Sequence, residues 1–330
     1  MTSTLPRLGF LGLGWIGRHR LQSLVDERAC EVVVLADASE EARQAAHAIA
    51  PDAASAATLD ELLAYDLDGV VIATPSALHA EQSLRVLEKR VAVFCQKPLA
   101  RTAQETREIV EAARRADRLL GCDLSYRHTE AMRRIRNAVV EGELGSIYAI
   151  DLVFHNAYGP NPGWARDMAL AGGGCAIDLG THLVDLALWV LGFPQVQLVT
   201  SRLFSRGRAL APGEDVVEDY AVAQLELDGG AVARLTCSWN LPMGRDAIIE
   251  AHFHGSRGGA GLRNRDGSFY DFVAERYEGT RRFPLAEPPD AWGGRAVLDW
   301  ARRLAGGARY ESGIESVVQV AMAMDAIYGR

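Results

Sequence analysis

An aspartate and a histidine stand four residues apart, as Asp178 and His182, in the stretch GGGCAIDLGTH at 172–182. A carboxylate close to an imidazole raises the basicity of the ring, which suits a general base working near neutral pH. Asp185 follows close to the same side and is an alternative partner for the histidine. A blander reading stands beside this one: Asp178 as a helix-terminal charge stabilised by the dipole, and His182 as a packed first-turn residue. The second reactive candidate is Lys97, in FCQKPLA at 94–100, at the end of an apolar run. An unpaired ammonium is expensive to bury, so this lysine faces either a cleft or bulk solvent. Pro98 fixes its own φ and restricts the residue before it, which holds the lysine's backbone.

The third candidate binds rather than reacts. Gly12-Leu13-Gly14-Trp15-Ile16-Gly17 fits G-x-G-x-x-G, the turn in which bare backbone and a helix N-terminus meet a pyrophosphate. Asp37 lies 20 residues beyond Gly17, where a carboxylate can accept hydrogen bonds from adenosine ribose hydroxyls. A carboxylate there repels a 2′-phosphate, which favours NAD, while Ser39 and Arg43 nearby leave NADP open.

These residues need elements to position them. RLGFLG (7–12), EVVVLAD (31–37), GVVIAT (69–74), VAVFC (91–95) and LLGCDL (119–124) read as strands covered on both faces. Helical stretches alternate with them; TAQETREIVEAARRADR (102–118) puts Ile109, Val110, Ala113 and Ala116 on one stripe. That alternation predicts a parallel sheet with ligands at the carboxyl ends of its strands. Beyond residue 125 the texture changes. Strands are expected at 146–158, 195–205, 216–227, 231–240 and 246–255, several alternating in polarity, with a hairpin signal at LDGGA. An apolar helix is expected over 183–192; if it begins near Ala176, Asp178 and His182 share a face. His252 and His254 lie two apart on one strand face; no carboxylate or cysteine pattern completes a metal site there, so no metal is expected.

Bulk properties narrow the classes. The chain has 330 residues, 48% hydrophobic and 24% charged, so two globular domains are expected. A net charge of −8 argues against a nucleic-acid partner, which needs a basic face. No apolar run is long enough to span a bilayer, since Gly192 and Pro194 interrupt 186–201, and MTSTLPR lacks a signal-peptide core. Five cysteines without a close pair read as reduced thiols. A cytoplasmic protein with no membrane partner is expected.

GFLGLGWIG, ATPSALH (73–79), FCQKPLA, LSYRHTEAMRRI (124–135), GGGCAIDLGTH and EAHFHGSRGGAGL (250–262), in this order, resemble the glucose–fructose oxidoreductase, inositol dehydrogenase and rhizopine-catabolism (Gfo/Idh/MocA) family. The resemblance implies an α/β chain: a Rossmann domain over 1–125, then an α/β domain over 126–330 with a large, mostly antiparallel sheet for substrate and oligomerisation. It implies hydride transfer between NAD(P) and a hydroxyl or carbonyl carbon of a sugar, cyclitol or related polyol. Lys97, Asp178 and His182 fall on the family's catalytic positions, and the glycines 172–174 then let backbone pass close to substrate or nicotinamide. Gly12, Gly14, Trp15, Ile16, Gly17, Asp37, Thr74, Pro75, His79, Gln96 and Lys97 are implied to line the cofactor; from its residues alone His79 reads better as one that caps or packs its helix. Tyr126, Arg127, Asn156, Tyr158 and Trp164 are candidates for the substrate wall, with Asp178 and His182; Arg127 matches the family's arginine after the strand, and could instead simply pair with an acid. A homo-oligomer, dimer or tetramer, is implied by the open sheet. The chain departs from the family's Glu-Lys-Pro motif at Gln96-Lys97-Pro98: glutamine keeps hydrogen-bonding capacity but removes a negative charge beside the lysine. Relatives of other kinds leave two alternatives, an NAD-dependent glycoside hydrolase and a non-catalytic dinucleotide sensor.

Overall fold

Short, continuous aliphatic runs become the central strands of a parallel sheet because both of their faces must be covered. The computed structural model describes residues 5–161 and 163–330. Its first sheet contains β1 (Arg7–Leu11), β2 (Glu31–Ala36), β3 (Ala54–Ala56), β4 (Gly69–Ile72), β5 (Ala92–Cys95) and β6 (Leu120–Cys122). The order is β3-β2-β1-β4-β5-β6, with every pairing parallel. The five expected strands are present. The sixth, β3, has only Ala-Ser-Ala and carries no apolar run to announce it.

The sheet belongs to a compact unit of residues 1–123 and 294–317; the other unit holds 124–293 and 318–330. Residues 294–317, expected in the second domain, belong to the first unit. The reason they join it is the helix Arg295–Ala305, whose Trp300 is buried among Leu8, Phe10, Val71 and Phe94. A Cβ at Gly69 or Gly121 would lie 2.6 or 2.9 Å from that indole, so both strands carry a glycine notch for it.

In the other unit, β7 (Ile147–Asn156), β8 (Val196–Ser205), β9 (Arg208–Ala209), β10 (Tyr220–Leu227), β11 (Val232–Ser238), β12 (Ala247–Gly255), β13 (Gly259–Asn264), β14 (Phe272–Glu278) and β15 (Arg281–Ala286) form one sheet. The order is β15-β14-β13-β12-β7-β11-β10-β8-β9, with β11 parallel to β7 and the remaining pairs antiparallel. One face carries the core: Leu152, Phe154, Leu225, Leu235 and Phe253 cluster with Val184, Leu188, Met324 and Ile327. The alternation is visible in β10, where Ala221, Ala223, Leu225 and Leu227 are buried and Val222 is exposed. β9 and β13 to β15 lie outside the expected strands; β13 is glycine-rich and β15 begins with two arginines, so neither shows an apolar run. Among the described residues no helix is long and apolar enough to cross a membrane.

Candidate active site

The first unit gathers its candidates at the carboxyl ends of the parallel strands. Gly12 follows β1 with φ +90°, and a Cβ there would meet the backbone of Ala73 and Thr74 at 2.5 to 2.6 Å. A Cβ at Gly17 would sit 2.0 Å from the Gly12 carbonyl oxygen, so the helix Trp15–Asp26 packs against the turn only because that residue is bare. Around Gly14 the opposite holds: nothing lies within 4 Å of its Cβ position. Gly14 is also the helix N-cap, without a side-chain cap and with no acid in the first turn. Two glycines are therefore consumed by packing and the middle one faces open space. That is the arrangement a pyrophosphate requires, since the helix N-terminus offers unpaired N–H donors.

Asp37 stands just beyond β2 with both carboxylate oxygens held. Oδ2 accepts the Leu13 N–H at 2.7 Å and Oδ1 the Ser39 N–H at 2.8 Å, while Arg43 donates to the Asp37 carbonyl. The remaining lone pairs can accept ribose hydroxyls without the side chain having to be ordered first. Trp15 is exposed and its ring lies 5.6 Å from His19; Ile16 is half-buried. Beyond β4, Thr74 donates from its hydroxyl to Gln82 at 2.6 Å, and Pro75 is the N-cap of the helix Ser76–Glu88. His79 is buried, with its ring nitrogens 2.8 Å from the carbonyl oxygens of Thr74 and Pro98. It thus sits between the loop after β4 and the loop carrying Lys97, and as a neutral ring donates to one of the two carbonyls. Burial holds its pKa below the ordinary value against the pull of the two carbonyls, and the Lys97 charge adds to the lowering. Lys97 itself is half-buried. Gln96 is buried and donates its amide N–H to Asp123, which also pairs with Arg20.

The second unit assembles a polar cluster on an unusual segment. The helix expected to begin near Ala176 opens instead as a π-type turn over Ala176–Gly180, and regular α-helix runs from Thr181 to Val190. The wider turn changes the register assumed for Asp178 and His182, since the i, i+4 spacing belongs to the α-helix. Asp178 is half-buried and accepts the Trp239 indole N–H at 3.1 Å. His182 is buried with its ring 4.7 Å from that of Tyr126. Tyr126 in turn packs on Phe154, Phe272 and Trp292. Burial pushes the Tyr126 phenol up, and the Asp178 charge adds to it, so Tyr126 can serve as a neutral donor.

Asp185 is buried and engaged by an arginine. It takes a bidentate pair from Arg127, with Nε to Oδ2 at 2.8 Å, and the guanidinium lies over the Phe193 ring at 5.1 Å. Burial raises the Asp185 carboxyl while Arg127 pulls it down. Of the remaining wall candidates, Asn156 ends β7, Trp164 is half-buried in the short turn Gly163–Arg166, and Tyr158 is exposed with Phe269 6.1 Å away. The adjacent Pro162 lies outside the described residues.

The triple glycine has a different purpose from the close approach to ligand expected above. Gly172 ends the turn Met168–Ala171 at φ +83°, and a Cβ at Gly174 would sit 1.9 Å from the Glu218 carbonyl oxygen. A Cβ at Gly173 would sit 2.1 Å from the Tyr328 hydroxyl. The Glu218 carboxylate is fully buried and accepts the N–H groups of Gly174 and Ala176 at 2.9 Å and the Tyr328 hydroxyl at 2.7 Å. Gly173 and Gly174 are therefore bare because protein, in this same unit, presses on them, and Gly172 because its φ is positive. Trp239, Glu218 and Asp123 were invisible to sequence reasoning, because each meets its partner far along the chain.

His254 lies 3.1 Å from Asp151 and His252 3.4 Å from Glu250, contacts of an ordinary sheet face. Among the described residues no group of three or more His, Cys, Asp or Glu is placed to hold a metal ion.

Comparison with known proteins extends these observations. Residues 7–124 match the family model described as "Oxidoreductase family, NAD-binding Rossmann fold", and 132–260 match "GFO/IDH/MocA C-terminal domain". D-glucoside 3-dehydrogenase of Escherichia coli (strain K12) is 31% identical over 278 residues, 79% of this chain and 78% of that protein. The chain belongs to the GFO/IDH/MocA family. A second member, 1,5-anhydro-D-fructose reductase of Ensifer adhaerens, is 32% identical over 234 residues, covering 70% of this chain and 68% of that one. Levoglucosan dehydrogenase, solved with NADH and L-sorbose, superposes with a TM-score of 0.82 over 98% of this chain and 96% of its own, at 23% identity. That likeness carries the fold, a Rossmann sheet followed by a mostly antiparallel one, and agrees with the two sheets described above. Both GFO/IDH/MocA matches fall within the segments that supply the site candidates: the glycine turn, Asp37 and Lys97 in the first, Asp178 and His182 in the second.

Proposed function

We propose that this protein is an NAD(P)-dependent oxidoreductase that moves a hydride between the cofactor and a hydroxyl or carbonyl carbon of a sugar, cyclitol or related polyol. The observation that carries the reading is the open backbone cradle at Gly14 with the fixed Asp37 carboxylate beyond it, in a chain whose family is defined by dinucleotide-dependent oxidoreduction. Gly12, Gly14, Gly17 and the helix behind them would hold the pyrophosphate, and Asp37 the ribose. The bound dinucleotide supplies the hydride acceptor or donor.

The chain's own residues supply alignment and proton handling. His182 takes the proton from the reacting hydroxyl, or returns it in reduction. Lys97 donates a hydrogen bond to the same oxygen and stabilises its negative charge. Asp178 orients the imidazole or accepts a neighbouring substrate hydroxyl, while the Trp239 N–H keeps its carboxylate in place. Tyr126, Arg127, Asn156, Tyr158 and Trp164 are proposed for the substrate wall, with Arg127 acting from a guanidinium already anchored on Asp185. We assign the protein to the cytoplasm. We also assign it to a homo-oligomer joined through the open face of the second sheet, where Tyr148, Leu198 and Val222 are exposed.

The test follows NADH fluorescence across sugars, cyclitols, sugar acids and their ketones. A substrate found this way should be lost with Lys97→Ala. His182→Ala should keep its affinity for NADH and lose roughly 100-fold or more in turnover. Unchanged turnover in that variant removes His182 from the reaction.

A further inference from the structure

The position before Lys97 is a glutamine, and its surroundings say why. Asp123, just past β6, is 1% exposed. Its Oδ2 accepts the Arg20 Nε–H at 2.5 Å and the Gln96 amide N–H, and both of those residues are buried too. The backbones are cross-tied at the same level: the Asp123 N–H donates to the Cys95 carbonyl and the Gln96 N–H to the Ile72 carbonyl, each at 2.9 Å. The ends of β4, β5 and β6 and the helix that follows Gly14 therefore meet at one carboxylate.

Charge decides which residue can stand at 96. Arg20 and Asp123 form a buried pair of zero net charge, and an unpaired charge beside them would be strongly disfavoured. Glutamine adds a donor without adding charge. Glutamate in the same place would bring no donor and would set a second carboxylate against the first. Asp123 is thus matched by an amide at 96 and disfavours an ionised acid there.

We propose that Asp123 is a positioning residue: it selects glutamine at 96 and, by gathering Arg20 and Gln96, fixes the strand end from which Lys97 emerges. The proposal rests on the reading of Lys97 as the group that contacts the reacting oxygen. It also relocates the acid of this neighbourhood, from the residue before the lysine to the end of the adjacent strand.

The test is a swap. The parent, Gln96→Glu, Asp123→Asn and the double variant Gln96→Glu/Asp123→Asn are compared in three measurements. These are Tm, the rate at which acetic anhydride labels Lys97 as read by mass spectrometry, and kcat and KM on a substrate found by the NADH screen. Each single variant should lose about 5–10 °C in Tm, because each leaves a buried charge without its partner. Each should change the Lys97 labelling rate several-fold and lower kcat about tenfold, with substrate KM within about twofold of the parent. The double variant again holds one acid, one amide and one guanidinium. It should regain at least half of the Tm loss, label like the parent and exceed both singles in kcat.

A Gln96→Glu protein as stable as the parent, or a double variant no better than the sum of its singles, overturns the selection of glutamine. Recovery of Tm without recovery of the labelling rate overturns the positioning of Lys97. A parent that binds NADH and turns over no substrate would count against the dehydrogenase reading alone, since the Tm and labelling arms still decide this one.

Discussion

Asp178 is held by an indole. The Trp239 N–H is a neutral donor on one oxygen of a half-buried carboxylate, and it constrains where the acid stands relative to His182 and Tyr126. Hydrogen bonds to charged groups contribute about 1.5–3 kcal/mol, so their loss at a reacting centre is visible in rate. Trp239→Phe keeps an aromatic ring at the buried position and deletes the N–H together with part of the indole. It should lower kcat by about tenfold while leaving NADH affinity unchanged. Steady-state kinetics with fluorescence titration of NADH checks both, and equal kcat in variant and parent would show that Asp178 needs no such support. This residue marks the limit of what single positions revealed. Lys97, Asp178 and His182 could be singled out because motif and neighbours lie within a few residues of them. Trp239 reaches Asp178 from 61 residues away, and nothing near either position in the sequence signals the pairing. Gln96 was legible as a departure from the family's motif, but its reason, Asp123, lies 27 residues further on.

At the scale of the element, the segment 172–182 shows how a motif can be found and its physics misassigned. The glycines, the acid and the histidine were all visible; the close approach that demands the glycines is to Glu218 and Tyr328. The π-type turn at Ala176–Gly180 was equally hidden, because its apolar pattern does not differ from that of an α-helix. A methyl at Gly174 would collide with a carbonyl oxygen, and backbone yields less readily than a side chain. Gly174→Ala should therefore cost about 1–3 kcal/mol, read as a lowered midpoint in chemical denaturation. Glu218 beneath it makes a pH-dependent prediction. Burial raises its carboxyl above the ordinary 4.5, against the bonds from Tyr328, Ala176 and Gly174. The folded protein then keeps this proton to higher pH than the unfolded chain does. Its contribution is full below 4.5 and is lost as pH rises through the folded-state value. Glu218→Gln cannot titrate, so the Tm of the variant relative to the parent should climb as pH rises from 4.5. A difference that stays constant with pH would mean that the carboxyl is not raised.

For the whole molecule, the order of the chain and the order of the units differ. The alternation of short apolar runs with helices was enough to expect a parallel sheet, and the alternating polarity beyond residue 125 to expect further strands, because burial on two faces or one leaves a direct mark on residue patterning; that those strands form one mostly antiparallel sheet came from the family resemblance. Patterning was not enough to place 294–317, whose helix Arg295–Ala305 has an apolar stripe that would suit either unit. What decides is complementarity: Trp300, with its ring 5.7 Å from that of Phe94, fills notches left at Gly69 and Gly121. Each of those glycines lies in a strand whose carboxyl end supports the proposed site, so the tryptophan braces the sheet from within its own unit. Trp300→Ala would leave a cavity bordered by two residues that have no side chain with which to collapse into it. A loss of about 3–5 kcal/mol is expected, the usual cost of emptying a large aromatic site. The damage should be local to the unit that holds the sheet. Hydrogen exchange read by mass spectrometry should show protection falling in β1, β4, β5 and β6 while β7, β10 and β11 keep theirs. A variant with unchanged unfolding free energy, or with protection lost equally from both sheets, would show that the helix braces neither strand nor unit in this way.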